Sequence, residues 1–398
     1  MTESSFRFVH RFLNSRKDTP LGRGLALPIA DSFFLFRSPG DPNQFTFFED
    51  VSDKLSTRAD FLRDCVLAGL IDTLHTYGAF STPGAFSRDL AERGVDALRR
   101  RDMRIRVWVN HGPAENVQCF GAPDIPHFLG DDPRSKFYHT DITLRYGIEY
   151  CWAGREFGEF IARDASCSVA ALRAKSVAMF QGLRRRRHPI PRTRLLHPMV
   201  LRDGGRILGF ARFWGTDGQT PVVSDIVRQL SVDNLRTLRG TGSYAIVYQH
   251  FAVRRKEPGF GVGKYIANVK PYFEPDECAA LTRLAQEYHD GNIFVTSTER
   301  LLTYNRMQRW LRWSTEKIGS HIGISLLGVK VPGMPERAVS RAEIDGLTFY
   351  SNRPHETDLF IRTDAGSIRV KDVVCNRKDH TDRESITVPV GSIEAPDL

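Results

Sequence analysis

The stretch WVNHGPAENVQ, residues 108 to 118, places a histidine, two asparagines and a glutamine directly after an apolar run. The run itself, Arg104 to Val109, reads as a strand, because Ile105, Val107 and Val109 alternate with Arg106 and Trp108. His111 at its end is a candidate metal ligand or general base; the alternative is a hydrogen-bonded turn residue. Similar polar groups recur beside other apolar runs. Asp72 and His75 follow Leu70, Gln249 and His250 close SYAIVYQHF, and Arg37, Ser38 and Asp41 follow SFFLF. His139 and Asp141 stand two residues apart at the start of a helical pattern, about 200° around a helix. They reach one site only if the helix begins at or after His139; otherwise Thr140 or Asp141 caps it. In a parallel β/α barrel, working side chains gather at the carboxyl ends of strands, where most of these groups fall.

The elements that would position these groups alternate. SFFLF (32–36), IDTLHTYG (71–78), RIRVWV (104–109) and GIEYCW (147–152) read as strands. TRADFLRDCVLAGL (57–70), SRDLAERGVDALRRRD (87–102, with Ser87 as N-cap) and SKFYHTDITLRY (135–146) read as helices. This β-then-α order predicts parallel strands joined by crossover helices. Beyond it, Asp203-Gly204-Gly205 suggests a hairpin within 199–215, and 225–239 and 275–291 read as helices. Residues 243–251 and 292–298 read as strands, the latter leading into a helix over 299–314. From about residue 317 the texture changes to short β-rich pieces with frequent turns. The expected division is a catalytic domain over 1–316, with an Arg-rich insertion near 181–194, and an antiparallel β-sandwich over 317–398 that carries no catalytic group.

Composition narrows the class. A hydrophobic fraction of 41% with 26% charged residues is that of an ordinary globular chain. No apolar run approaches the roughly 18 to 20 residues that span a bilayer, and the N-terminus lacks a continuous apolar segment, so a cytoplasmic location is expected. The six cysteines include no C-x-x-C pair, which argues against a cysteine zinc site and against disulfides. The net charge of +9 is concentrated in QGLRRRRHPIPRTR (181–194), a solvated loop or a site for an anionic partner. It lacks interleaved aromatics, so nucleic acid is not the expected partner. GFGVGK (259–264) lacks the spacing and the hydroxyl residue of a phosphate loop.

In this order the segments resemble the polysaccharide deacetylase superfamily (the NodB-homology fold) over roughly residues 30 to 310. SFFLFRSPGDP, WVNHGPAENVQ, YAIVYQH and NIFVTSTERLLTYNRMQRWL carry the likeness, and YHTDITLRYGIEYCW is similar to divergent members from surface-polysaccharide clusters with a C-terminal β domain. The resemblance implies a (β/α)7-8 barrel-like domain and a hydrolase that removes an acyl (acetyl) group from a glycan. It implies a metal-bound water, or one activated by Asp41 or Asp141, and His250 as the acid that protonates the departing sugar oxygen. The family's aspartate pair is replaced here by Arg37-Ser38, and its second metal histidine by Asn116. The implied metal set is therefore His111, His139 and Asp141, with zinc as the candidate ion. Asn110, Asn116, Gln118, Tyr77, Trp108 and Trp152 are the candidate substrate contacts, with Trp214 as a further stacking ring. A glycosidase using Asp72 or Asp141 with Glu149, or a non-catalytic glycan-binding or assembly protein, are the alternatives.

Overall fold

The computed structural model describes the chain except residues 39–42, 81–84, 112–115, 155, 158–159, 161–193, 214, 216–219, 257–264, 379–381, 391–395 and 397. Asp41, Trp214, the Arg-rich segment up to residue 193 and the glycine loop 259–264 therefore lie outside the described residues.

The chain divides into two compact units, one over Met1–Thr298 with the last residues of the chain, the other over Glu299–Glu394. The division falls before the expected 316/317 boundary. Helix Thr298–Trp310 runs directly into a strand, Leu311–Ile318, so the stretch expected to end as a helix at 314 already belongs to the second unit.

In the first unit the main sheet contains β1 (Asp31–Phe36), β2 (Thr46–Phe48), β3 (Ile71–Leu74), β4 (Val107–Val109), β5 (Tyr150–Trp152), β7 (Leu196–Val200) and β8 (Arg206–Phe210), in the order β2-β1-β3-β4-β5-β8-β7. Every neighbouring pair is parallel except β8–β7, which is the expected hairpin around Asp203-Gly204-Gly205. A separate two-stranded sheet pairs β6 (Glu156–Phe157) with β9 (Arg212–Phe213) in parallel, and Phe213 bridges in parallel to Val247. The pairings among the described residues trace no complete ring. Residues 243–251 form no strand, with Tyr244 and Val247 as isolated bridge residues, and 292–298 form no strand either. The helix expected over 225–239 is broken, with Ile226–Gln229 and Val232–Thr241 as separate pieces.

One face of the sheet is apolar. α2 (Ala59–Leu67) and α3 (Arg88–Arg100) present Leu62, Cys65, Val66, Leu90, Ala91, Val95 and Leu98 to Phe33, Leu35, Ile71, Leu74 and Cys151. Helix spacing of three and four residues makes such a stripe. Ser87 caps α3 as expected, its hydroxyl accepting from Leu90 N at 3.3 Å. α3 lies close to the sheet because residue 94 is glycine: a Cβ there would fall 2.6 Å from Leu35 Cδ2. α4 (Thr140–Tyr146) begins later than the expected 135, and Ser135–His139 form turns instead.

The second unit holds a four-stranded and a three-stranded sheet. The first is not purely antiparallel. Its two central strands, His321–Val329 and Thr357–Thr363, run parallel, joined by a long connection that contains a strand of the other sheet, Thr348–Tyr350. Arg306, Glu343 and Arg337 form an ion-pair cluster within this unit, with Arg306 and Glu343 buried.

Leu35 is fully buried in the apolar layer, whereas Leu67 is 45% exposed. Leu35→Ala is expected to cost about 2 to 5 kcal/mol, by lost transfer energy plus a cavity. Leu67→Ala should stay within about 0.5 kcal/mol. Urea unfolding followed by circular dichroism checks both.

Candidate functional site

The carboxyl ends of the parallel strands place polar residues on two different sides, and the two sets make separate contacts. His75, directly after β3, and His111, two residues after β4, meet: His111 Nδ1 lies 3.2 Å from His75 Nε2. Ser32 Oγ lies 3.3 Å from the other nitrogen of His75. The Phe34 ring stacks on His75 at 4.8 Å and meets His111 edge-on at 5.0 Å. Strand alternation explains the set, because Ser32 and Phe34 in β1 share one pleat face with Thr73 in β3 and with His75, the residue directly after that strand.

Arg212 and Tyr248 extend this group. Arg212 opens β9 and is buried, its guanidinium 3.6 Å from the Trp152 ring centre and 3.7 Å from that of Tyr248. Such a sandwich is favourable because each ring face is electron-rich. Tyr248 Oη lies 2.8 Å from His250 Nε2, and His250 Nδ1 lies 2.8 Å from the Pro221 carbonyl. A carbonyl only accepts, so Nδ1–H donates to it, and the tyrosine hydroxyl donates to Nε2.

All three histidines are pushed toward the neutral form. Burial pushes His75 well below its ordinary range, and the neighbouring charges of His111, Arg212 and His250 push the same way. His111 is lowered to about 4, by burial first and then by His250. His250 is lowered by burial and Arg212, against the opposing pull of the Pro221 carbonyl and Asp31. Among their ring nitrogens, His111 Nε2 is the one with no partner among the described residues.

The other set is structural. His139 is fully buried, ringed by Tyr77, Phe86, Trp108 and Phe120. Its Nε2–H donates to the Gln118 carbonyl at 2.7 Å, and its Nδ1 accepts from Thr143 Oγ1 at 2.8 Å, while the Tyr77 hydroxyl lies 2.7 Å from Thr143 Oγ1. Gly130 leaves room for it, since a Cβ there would lie 2.6 Å from His139 Nε2. Burial lowers His139 to about 4. Asp141 is held by both terminal nitrogens of Arg88 at 2.8 and 2.7 Å, and that hydrogen-bonded pairing keeps its carboxyl below the usual range.

The expected metal set is therefore not brought together. Both nitrogens of His139 and both oxygens of Asp141 are committed elsewhere, and the described residues hold no group of three or more His, Cys, Asp or Glu suited to a metal. Residues present do not fit a zinc ion held by His111, His139 and Asp141. The expected substrate contacts are corrected in the same way. Tyr77 and Trp108 are fully buried. Trp108 Nε1–H donates to Asn110 Oδ1 and Asn110 Nδ2 to the Phe120 carbonyl. Asn116 Nδ2 donates to the His111 carbonyl at 2.9 Å. Gln118 accepts from Tyr77 N and donates to Gly78 O and Asn116 Oδ1. These amides fix the turns. Of the expected residues, His111, His250 and Trp152 join the cluster.

Sequence reasoning missed Arg212, Tyr248 and Ser32. The available signal was Arg212 itself, a lone cation inside the apolar run LGFARFW. Comparison of the chain with family profiles, curated proteins and solved structures finds no match. No helix among the described residues is long and apolar enough to cross a membrane.

The lowered histidines have a consequence for stability. Their folded pKa values lie below the unfolded value, so the unfolded chain binds more protons as the medium is acidified. The stability they contribute is complete above about pH 6.5 and is lost progressively as pH falls toward 4. The midpoint of thermal unfolding should be level from pH 8 to 7 and fall between pH 6.5 and 4, with His139→Gln showing a shallower fall than the parent chain.

Proposed function

We propose that this chain is a carbohydrate-active hydrolase that removes an acyl group, in the first instance acetyl, from a polysaccharide or glycan in surface-polysaccharide metabolism, on a deacetylase-like barrel. The observation that supports this best is the convergence of His75, His111 and His250 around the buried Arg212 cation beside the carboxyl ends of successive parallel strands. A buried cation and neutral imidazoles suit a reaction in which negative charge develops on an acyl oxygen, because such groups stabilise it without having to reorganise. His111 Nε2, which has no partner among the described residues, is the ring nitrogen we assign to the substrate. The resemblance supplies Asp41 as the residue that activates water and His250 as the acid. In this structure the one proton of neutral His250, on Nδ1, is given to the Pro221 carbonyl and Nε2 accepts from Tyr248, so His250 acts as an acid only after Nε2 has taken up a second proton. No step is assigned to a metal.

The glycosidase alternative loses support from the geometry. Asp141 is paired with Arg88, and Glu149 is paired with Arg106 at the opposite, amino-terminal end of β5. Two free carboxylates flanking one bond, as that chemistry needs, are not found at these positions.

The test is acetate release from a panel of O- and N-acetylated oligosaccharides. His111→Ala is expected to lower turnover by on the order of a hundredfold or more, with folding retained, while the loop control His127→Ala keeps full activity. Release of acetate from no member of the panel, with measurable binding of one, would move the reading to a glycan-binding protein. Full activity in folded His111→Ala would remove the site.

A further inference from the structure

Ser32, His75 and His111 form one hydrogen-bonded chain, with contacts of 3.3 and 3.2 Å. Both nitrogens of His75 are used inside it, so His75 acts on the site only through His111. The ring is held in place from two directions. Phe34 stacks on it with planes inclined by 16°. The backbone beyond it is locked, because Thr76 sits at a φ of 59° and the next two residues are bonded to Gln118. A buried β-branched residue in the left-handed region is strained, and such strain persists only where surrounding bonds impose it.

We propose that His75 is a positioning residue: with Ser32 it fixes the neutral His111 ring in the tautomer that carries its proton on Nε2, so that His111 presents an N–H to the acyl oxygen of a substrate. The nature of that oxygen rests on the hydrolase reading above; the tautomer does not.

A neutral imidazole has one donor and one acceptor nitrogen. The chain can therefore run in two senses. In one, the Ser32 hydroxyl donates to His75 Nδ1, His75 Nε2–H donates to His111 Nδ1, and His111 keeps its proton on Nε2. In the other, every bond is reversed and Nε2 of His111 is bare. The first sense puts both rings in the tautomer that free imidazole side chains favour. A charged pair is excluded by its surroundings: Arg212 and His250 face His75, His250 faces His111, and the nearest acid that bears on this group, Asp31, acts on His250 and Tyr248. A cation on His75 would sit buried beside Arg212, and one on His111 would sit buried beside His250.

The experiment is ¹⁵N NMR of the full chain labelled in histidine, near neutral pH, with His111 assigned by substitution. The nitrogen shifts report directly which atom carries the proton. The wild-type chain is expected to show His111 in one tautomer, protonated at Nε2. His75→Gln keeps an amide donor toward His111 Nδ1 and should retain that tautomer. His75→Phe removes the donor and should give an averaged signal from both tautomers. A His111 protonated at Nδ1 in the wild type, or an unchanged single tautomer in folded His75→Phe, overturns the proposal. Should His75→Phe not fold, Ser32→Ala supplies the readout: the His75 Nδ1 resonance must move, and an unmoved resonance overturns the chain. Titration with sodium acetate, as a product probe, separates the two claims. A confirmed tautomer with no acetate response at His111 counts against the hydrolase reading and leaves the positioning role standing.

Discussion

The imidazole of His139 ties the loops of the first unit together, and the placement of the candidate site follows from it. Its two nitrogens join the first turn of α4, through Thr143, to the Gln118 carbonyl. The Gln118 side chain then holds Tyr77 N and the Gly78 carbonyl, which follow His75, and reaches Asn116, which holds the carbonyl of His111. The loops carrying His75 and His111 are thereby fixed to one buried network. Among the described residues none of its buried side-chain nitrogen or oxygen atoms lacks a partner, which is the condition under which buried polarity adds definition to a fold and does not weaken it. Leaving one member unpaired would expose the full desolvation cost of its neighbours.

The sheet separates two environments. Toward α2 and α3 it is apolar and closely packed, and side chains such as Leu35 and Leu98 are wholly buried there. On the other pleat face, Ser32, Phe34 and His75 lead to His111. Arg212 lies between two aromatic rings, so its charge is kept near the histidines without a long flexible side chain being free to wander. Burial lowers His75 and His250 below their ordinary range, and the Arg212 charge pushes the same way. Position, protonation and electrostatic field in this group are consequences of one another.

Much of the scaffold was legible in the sequence. The alternation of 2-residue and 3.6-residue patterns gave the parallel strands, the helices over 59–67 and 88–100 and the Ser87 cap, because those signals come from local geometry. The stretch after residue 298 was less legible. LRWS continues a helical pattern from TYNRMQRW, and only pairing with His321–Val329 turns it into a strand. The site was half legible. Standing at a strand end says which edge of the sheet a residue occupies, not which face it points to, and one residue of offset reverses the face. His111 and His139 look equivalent on paper, yet one has a ring nitrogen with no partner among the described residues and the other is wedged among four aromatic rings. The amides after His111 signal a turn as strongly as a binding site, and the turn claims them.

The division between a histidine that holds the fold and a histidine that faces the chemistry is the central claim, and equilibrium unfolding of His139→Ala and His111→Ala side by side tests it most directly. His139→Ala removes a buried ring and leaves the Gln118 carbonyl without its donor, so a loss of about 3 kcal/mol or more is expected. His111→Ala leaves His75 Nε2 without its partner and should cost about 1 to 2 kcal/mol, less than His139→Ala. The opposite ranking, with His111→Ala the more damaging and His139→Ala nearly neutral, would contradict the account.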